Sequence, residues 1–169
     1  KFNYFDFGPG QLDTVIEGGF GKGIRTNGAY AAIATWMKNT AEANSRPGDF
    51  AIAEEQVPMT YMLIQRRPAL NHSWTGMANS PSLRREAMAQ SLAAGRRPQI
   101  AYRFIFQPMM FPEDVRAETF IAAGPKFFSN SDPVDSYIVN NMTKVDTFKV
   151  NNIPWVEVYT AKTRSAGER

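Results

Sequence analysis

The chain has 169 residues, enough for one domain that buries roughly 70% of its extended surface without crosslinks. Apolar residues make up 43% and charged residues 21%, a globular composition that excludes a wholly disordered chain. There is no Cys, which excludes disulfides, thiol catalysis and thiolate metal sites, and no apolar run is long enough for a membrane-spanning segment.

The net charge of +3 is unevenly spread, with −2 over residues 1–64, +4 over 65–118 and +1 over 119–169. Every basic residue of the middle segment is Arg, and six of them form the pairs Arg66-Arg67, Arg84-Arg85 and Arg96-Arg97. Guanidinium groups suit bidentate recognition of carboxylates and phosphates, so these six are nominated as a polyanion-binding or acidic-partner surface. The plainer reading places each pair at a solvated element end.

The sequence opens on Lys1 and reads as a processed or trimmed piece of something longer, with no signal or lipidation pattern. Residues 1–8 form an aromatic-rich segment, extended over KFNYFDF and broken at Gly8-Pro9-Gly10. Leu12 to Glu17 reads as a short helical turn and Gly18 to Gly23 as a flexible loop. Thr26 or Asn27 caps a helix of about 16 residues, on which Ala29, Ile33, Trp36 and Met37 share one stripe. Pro47-Gly48 ends it. Asp49 to Ala53 is a short strand, and Met59 to Gln65 reads as an inner strand, apolar on both faces. Residues 69–79 read as a loop. A second helix has Ser80 as N-cap, Pro81 at the first position and Gly95 after the last turn. Leu83, Met88 and Leu92 give its buried stripe with Ala87 beside it, and Arg84, Arg85, Glu86 and Gln90 face outward. Gln99 to Gln107 alternates, with Ile100, Tyr102, Phe104 and Phe106 on one face and Ala101, Arg103 and Ile105 on the other. A helical turn over 112–118, a strand over 119–123 and a turn over 129–135 follow. An undefined element at 136–145 precedes strands at 147–150 and 155–160. Residues 162–169 are polar and frayed.

Helices early and strands late predict one α+β domain over residues 1–169, a mixed or antiparallel sheet of five to seven strands with two main helices packed on one face.

Chemistry is thinly signalled. Gly21-Lys22 fails the phosphate-loop pattern, because Ile16 stands where Gly is required and Gly23 where Ser or Thr is. Gly19-Phe20-Gly21 lacks the third Gly of the dinucleotide pattern. His72 is the only His and has no identifiable partner for metal binding or base catalysis. The acid pairs Glu54-Glu55, Glu113-Asp114 and Asp132/Asp135 each have a structural explanation, and no acid-x-Lys tripeptide exists. Asn71-His72-Ser73 and Asn141-Met142-Thr143 are glycosylation triplets of the kind that arise by chance. No catalytic residue, cofactor or metal ligand is nominated.

Two apolar segments point instead to partners. Met109, Met110 and Phe111 sit between Pro108 and Pro112, which deny the loop strand pairing. Phe2, Tyr4, Phe5 and Phe7 form an aromatic stretch suited to another subunit's sheet edge. The sequence therefore predicts a non-catalytic structural or assembly subunit of a virion, phage particle or bacterial envelope or secretion machine. It would work through protein–protein contacts with its own or other subunits. The alternative is a nucleic-acid-binding or processing domain that uses the Arg pairs and the aromatic strand at Tyr102, Phe104 and Phe106.

Overall fold

The computed structural model describes residues 14–17, 21–26, 28–53, 59–70, 81–104, 132–150 and 152–162. Helix α1 (Gly28–Asn44) buries Ile33, Met37 and Ala41, spaced four apart on one stripe. Gly48, at φ 86°, makes the turn that follows. Strands β3 (Phe50–Ala53), β4 (Arg67–Pro68), β5 (Pro98–Phe104), β6 (Met142–Val150) and β7 (Ile153–Ala161) form one mixed sheet in the order β4-β3-β5-β7-β6. β3 runs parallel to β4 and β5, while β7 is antiparallel to both β5 and β6. The fold is α+β. Between the paired strands β6 and β7, Asn152 takes a positive φ of 65°, which a tight hairpin needs and Asn tolerates.

The helices cover both faces rather than one. On one face α1 and α2 (Met59–Ile64) pack on Ala51, Ala53, Ile100, Tyr102, Val156 and Val158. On the other, Met88 of α3 (Pro81–Ala93) and Val134 and Ile138 of α4 (Pro133–Asn141) pack on Ile52, Ala101 and Tyr159. Parallel connections demand this arrangement. The β3-to-β4 crossover steps one way across the sheet and the β4-to-β5 crossover steps back, so right-handed connections place α2 and α3 on opposite faces.

Three local expectations need correction. Met59–Ile64 is a helix, because adjacent parallel strands need a crossover and a six-residue apolar run fits either state. Tyr61 and Ile64 point inward, and Gln65 ends the helix at φ 53°. The Arg66 and Gln65 amides then close on Tyr61 O and Met62 O, a Schellman cap built on Gln rather than Gly. Thr14–Val15 is β1, paired antiparallel with β2 (Arg25–Thr26), so the region of the expected helical turn and glycine loop contains a small hairpin. Gly21 is buried there, and a Cβ on it would stand 2.9 Å from a Leu63 methyl. On α3 the expected stripe holds for Ala87, Met88 and Leu92, and Arg85, Glu86 and Gln90 are exposed as expected, but Arg84 is buried and Leu83 is 55% exposed. The undefined stretch at 136–145 is most of α4 followed by the start of β6.

The second helix ends as expected at Gly95, with φ 73° and the Arg96 and Gly95 amides bonded to Ser91 O and Leu92 O. The alternation on β5 also holds, with Ile100, Tyr102 and Phe104 in one core cluster and Ala101 in the other.

Candidate functional site

One end of the sheet collects positive charge, and helix direction explains why. Phe50 registers with Arg67 on one side and Pro98 on the other, so the N-terminal ends of β3, β4 and β5 lie together. The strand directions bring the C-termini of α1, α3 and α4 to this same end. Helix C-termini expose carbonyl oxygens and carry partial negative charge, which cations satisfy.

Arg66 does this from a buried position. Its guanidinium donates to Ala41 O at 2.9 Å, Ser45 O at 2.8 Å, Ser45 Oγ at 2.8 Å and Ile64 O at 2.7 Å, sealing the end of α1. Arg67 donates to Gly48 O at 2.6 Å and lies 4.3 Å above the Phe50 ring. Lys162 donates to Asn140 O at 2.7 Å in the last turn of α4. Arg97 is exposed at the same end.

The Arg pairs are therefore divided. Arg66-Arg67 and Arg96-Arg97 share the basic end, whereas Arg84-Arg85 sit about 12–14 Å back along α3 from its C-terminus, at one helical rise per residue. Arg84 is also turned inward, with Nη2 donating to Asp132 Oδ1 at 2.9 Å and Nε 2.9 Å from Asp132 Oδ2. The same Asp132 carboxylate caps α4, accepting from the Val134 and Asp135 amides, with Pro133 in the first turn. Arg85 is exposed and Arg96 half-buried.

At the basic end an open groove of about 800 Å³ runs between the start of β5, the last turns of α4 and the end of β7. Arg97, Gln99, Tyr137, Asn141 and Lys162 line it. Burial pushes the Tyr137 phenol up from its ordinary value, while the Arg97 charge pulls it back, so the hydroxyl stays neutral at physiological pH beside a cation.

Among the described residues the densest cluster of titratable groups lies on the α3–α4 face. Arg103 of β5 faces its cross-strand partner Glu157 of β7, with Nη1 donating to Oε2 at 3.1 Å. Its other donors reach Asp135 of α4, Nη2 to Oδ2 at 3.1 Å and Nε to Oδ1. Glu157 also accepts from Lys144 Nζ at 2.9 Å and Tyr159 Oη at 2.7 Å. Burial alone would raise the Glu157 carboxyl, but the bonds from Lys144, Tyr159 and Arg103 outweigh it and hold the group below its usual value. Burial and the Glu157 charge push the Tyr159 phenol up to about 12. Burial disfavours the Arg103 charge, yet the Asp135 and Glu157 carboxylates overcome this and raise its pKa. Two cations meet two carboxylates, so the cluster ties α4, β5, β6 and β7 into one charge-balanced unit. Sequence reading missed it because its members come from four separate elements. Arg103 was placed on the correct face, but no local spacing names its partners.

No family model, no curated protein and no solved structure matches the chain.

The aromatic strand is core. Tyr102 is fully buried and Phe104 is 9% exposed, so neither ring is available for base stacking. Tyr102 Oη donates to Met37 O at 2.6 Å and lies 2.9 Å from Thr40 Oγ, because a buried phenol needs a partner. Phe106, His72, Phe2, Tyr4, Phe5, Phe7, Met109, Met110 and Phe111 lie outside the described residues. Among the described residues, no group of three or more His, Asp or Glu is placed to hold a metal ion, and no helix is long and apolar enough to cross a membrane.

Proposed function

We propose that the chain is an assembly domain of a larger protein complex, working through protein–protein contacts rather than chemistry. The observation that carries this reading is the bulge in β6. Lys144 registers with Tyr159 and Asp146 with Val158, so Val145 is an extra residue in the strand. It stands 45% exposed on the outermost strand of the sheet. Val139, on the helix that runs directly into β6, is 48% exposed. A bulge interrupts ladder pairing and re-aims a side chain. Turning an apolar residue outward at a sheet edge is useful where another protein covers it. Among the described residues no strand pairs with the outer edge of β6.

The nucleic-acid alternative loses the stacking surface it needed once Tyr102 and Phe104 are counted as core.

The test is light-scattering mass measurement of the chain co-expressed with the products of its neighbouring genes. The wild type is expected in a species heavier than its own 18.9 kDa. The double variant Val139→Lys, Val145→Lys is expected to return to that mass with its melting temperature little changed. A wild type that stays at its own mass with every neighbour would overturn the reading.

A further inference from the structure

We infer that the groove at the basic end binds an acidic segment of a partner protein, with Arg97 holding a carboxylate and Tyr137 and Lys162 flanking it. The inference rests on the assembly reading and names a second, polar contact of that assembly. Three features carry it. The first is charge. Among the described residues the lining contains two cations, Arg97 and Lys162, and no carboxylate. The second is what those cations already do. Lys162 is exposed and bonds Asn140 O with one of its three donors, and Arg66 and Arg67 on the same end satisfy backbone carbonyls. Arg97 is an exposed guanidinium, and its fork matches a carboxylate in two parallel bonds. The third is the donor set around it. A neutral Tyr137 hydroxyl and the Gln99 and Asn141 amides line the same groove. Each amide gives one N–H to a backbone carbonyl, Gln99 to Arg97 O and Asn141 to Tyr137 O, and its oxygen and second N–H are the groups a peptide backbone can use.

A carboxylate ligand is favoured over a nucleic acid by number. Backbone recognition of nucleic acid typically enlists about 6–10 phosphate contacts, and this groove offers two cations. Its volume of about 800 Å³ suits a few residues of extended chain.

The experiment is fluorescence anisotropy on the isolated chain with a short labelled glutamate-rich peptide. A glutamine counterpart of equal length and a labelled oligothymidylate are run beside it. The glutamate peptide is expected to bind, more weakly as salt rises, and the glutamine peptide to bind at least about tenfold more weakly, as loss of charge-assisted bonds implies. Arg97→Ala is expected to weaken the glutamate peptide by about tenfold. Arg85→Ala, at the far end of the sheet, is expected to leave it unchanged. Equal binding of both peptides, absence of binding, or indifference to Arg97→Ala would each overturn the inference. Tighter Arg97-dependent binding of the oligothymidylate would also overturn it, in favour of phosphate. Loss of peptide binding in a chain that still assembles through Val145 would remove this inference and leave the assembly reading standing.

Discussion

Lys144 and Asp146 lie two residues apart on β6, yet they bond on opposite faces of the sheet. Lys144 Nζ reaches Glu157 on the α3–α4 face at 2.9 Å, and Asp146 accepts from the Trp36 indole on the α1 face at 2.8 Å. In a regular strand residues two apart share a face. The extra residue Val145 breaks that rule, and both flanking side chains hold the bulge in place. The strand that carries the proposed contact is thus anchored to both layers of the fold.

The charge cluster gives stability a pH dependence of known sign. The folded Glu157 carboxyl sits below its usual value, so the unfolded chain binds more protons near the ordinary carboxylate value of about 4.3. The stabilisation is present above that value and is lost as pH falls through the lower, folded one. Melting temperatures of wild type and Glu157→Gln should therefore differ most near neutrality and converge as pH falls below the ordinary carboxylate range. Tyr159 acts at the other extreme. Its folded value, raised to about 12, gives stability that is full below the ordinary phenol value and lost as pH rises through 12. Tyr159→Phe should lack that alkaline loss.

The exposure of Leu83 on α3 is measurable by urea unfolding. Leu83 is 55% exposed, so Leu83→Gln should change stability by less than about 0.5 kcal/mol. Met88 is 5% exposed within the core, and Met88→Ala should cost about 2–5 kcal/mol. The reverse ranking would mean that Leu83 rather than Met88 is the buried position of α3.

Gln65 at φ 53° occupies the position that Gly usually takes in a Schellman cap. Left-handed backbone costs an L-residue about 1–2 kcal/mol, and Gly loses about 0.5–1 kcal/mol of chain entropy in return. Gln65→Gly should stabilise the chain by about 0.5 kcal/mol in the same unfolding assay. A loss of stability would show that the Gln65 side chain matters more than its backbone.

The parts of the fold legible in the sequence were those set by local rules. The α1 stripe, the Gly95 stop and the β5 alternation each depend on neighbours in the chain. What escaped was decided by distant groups. Met59–Ile64 is helical because two parallel strands must be bridged, and Arg84 of α3 is buried because it finds Asp132, 48 residues away. The Arg pairs were visible as a pattern, but their division between two ends follows from strand direction, which no pair encodes. The β6 bulge had no signal at all, since Lys144-Val145-Asp146 alternates as an ordinary strand does.

Whether β6 is a contact surface decides the assembly proposal. Amide hydrogen exchange, followed for Thr143 to Thr147 in the isolated chain and in the native complex, measures this directly. The account predicts that the Val145 amide and its neighbours slow on assembly by about tenfold or more, while amides of the buried strand β5 change little. Unchanged exchange along β6 in a complex that demonstrably contains the chain would contradict it.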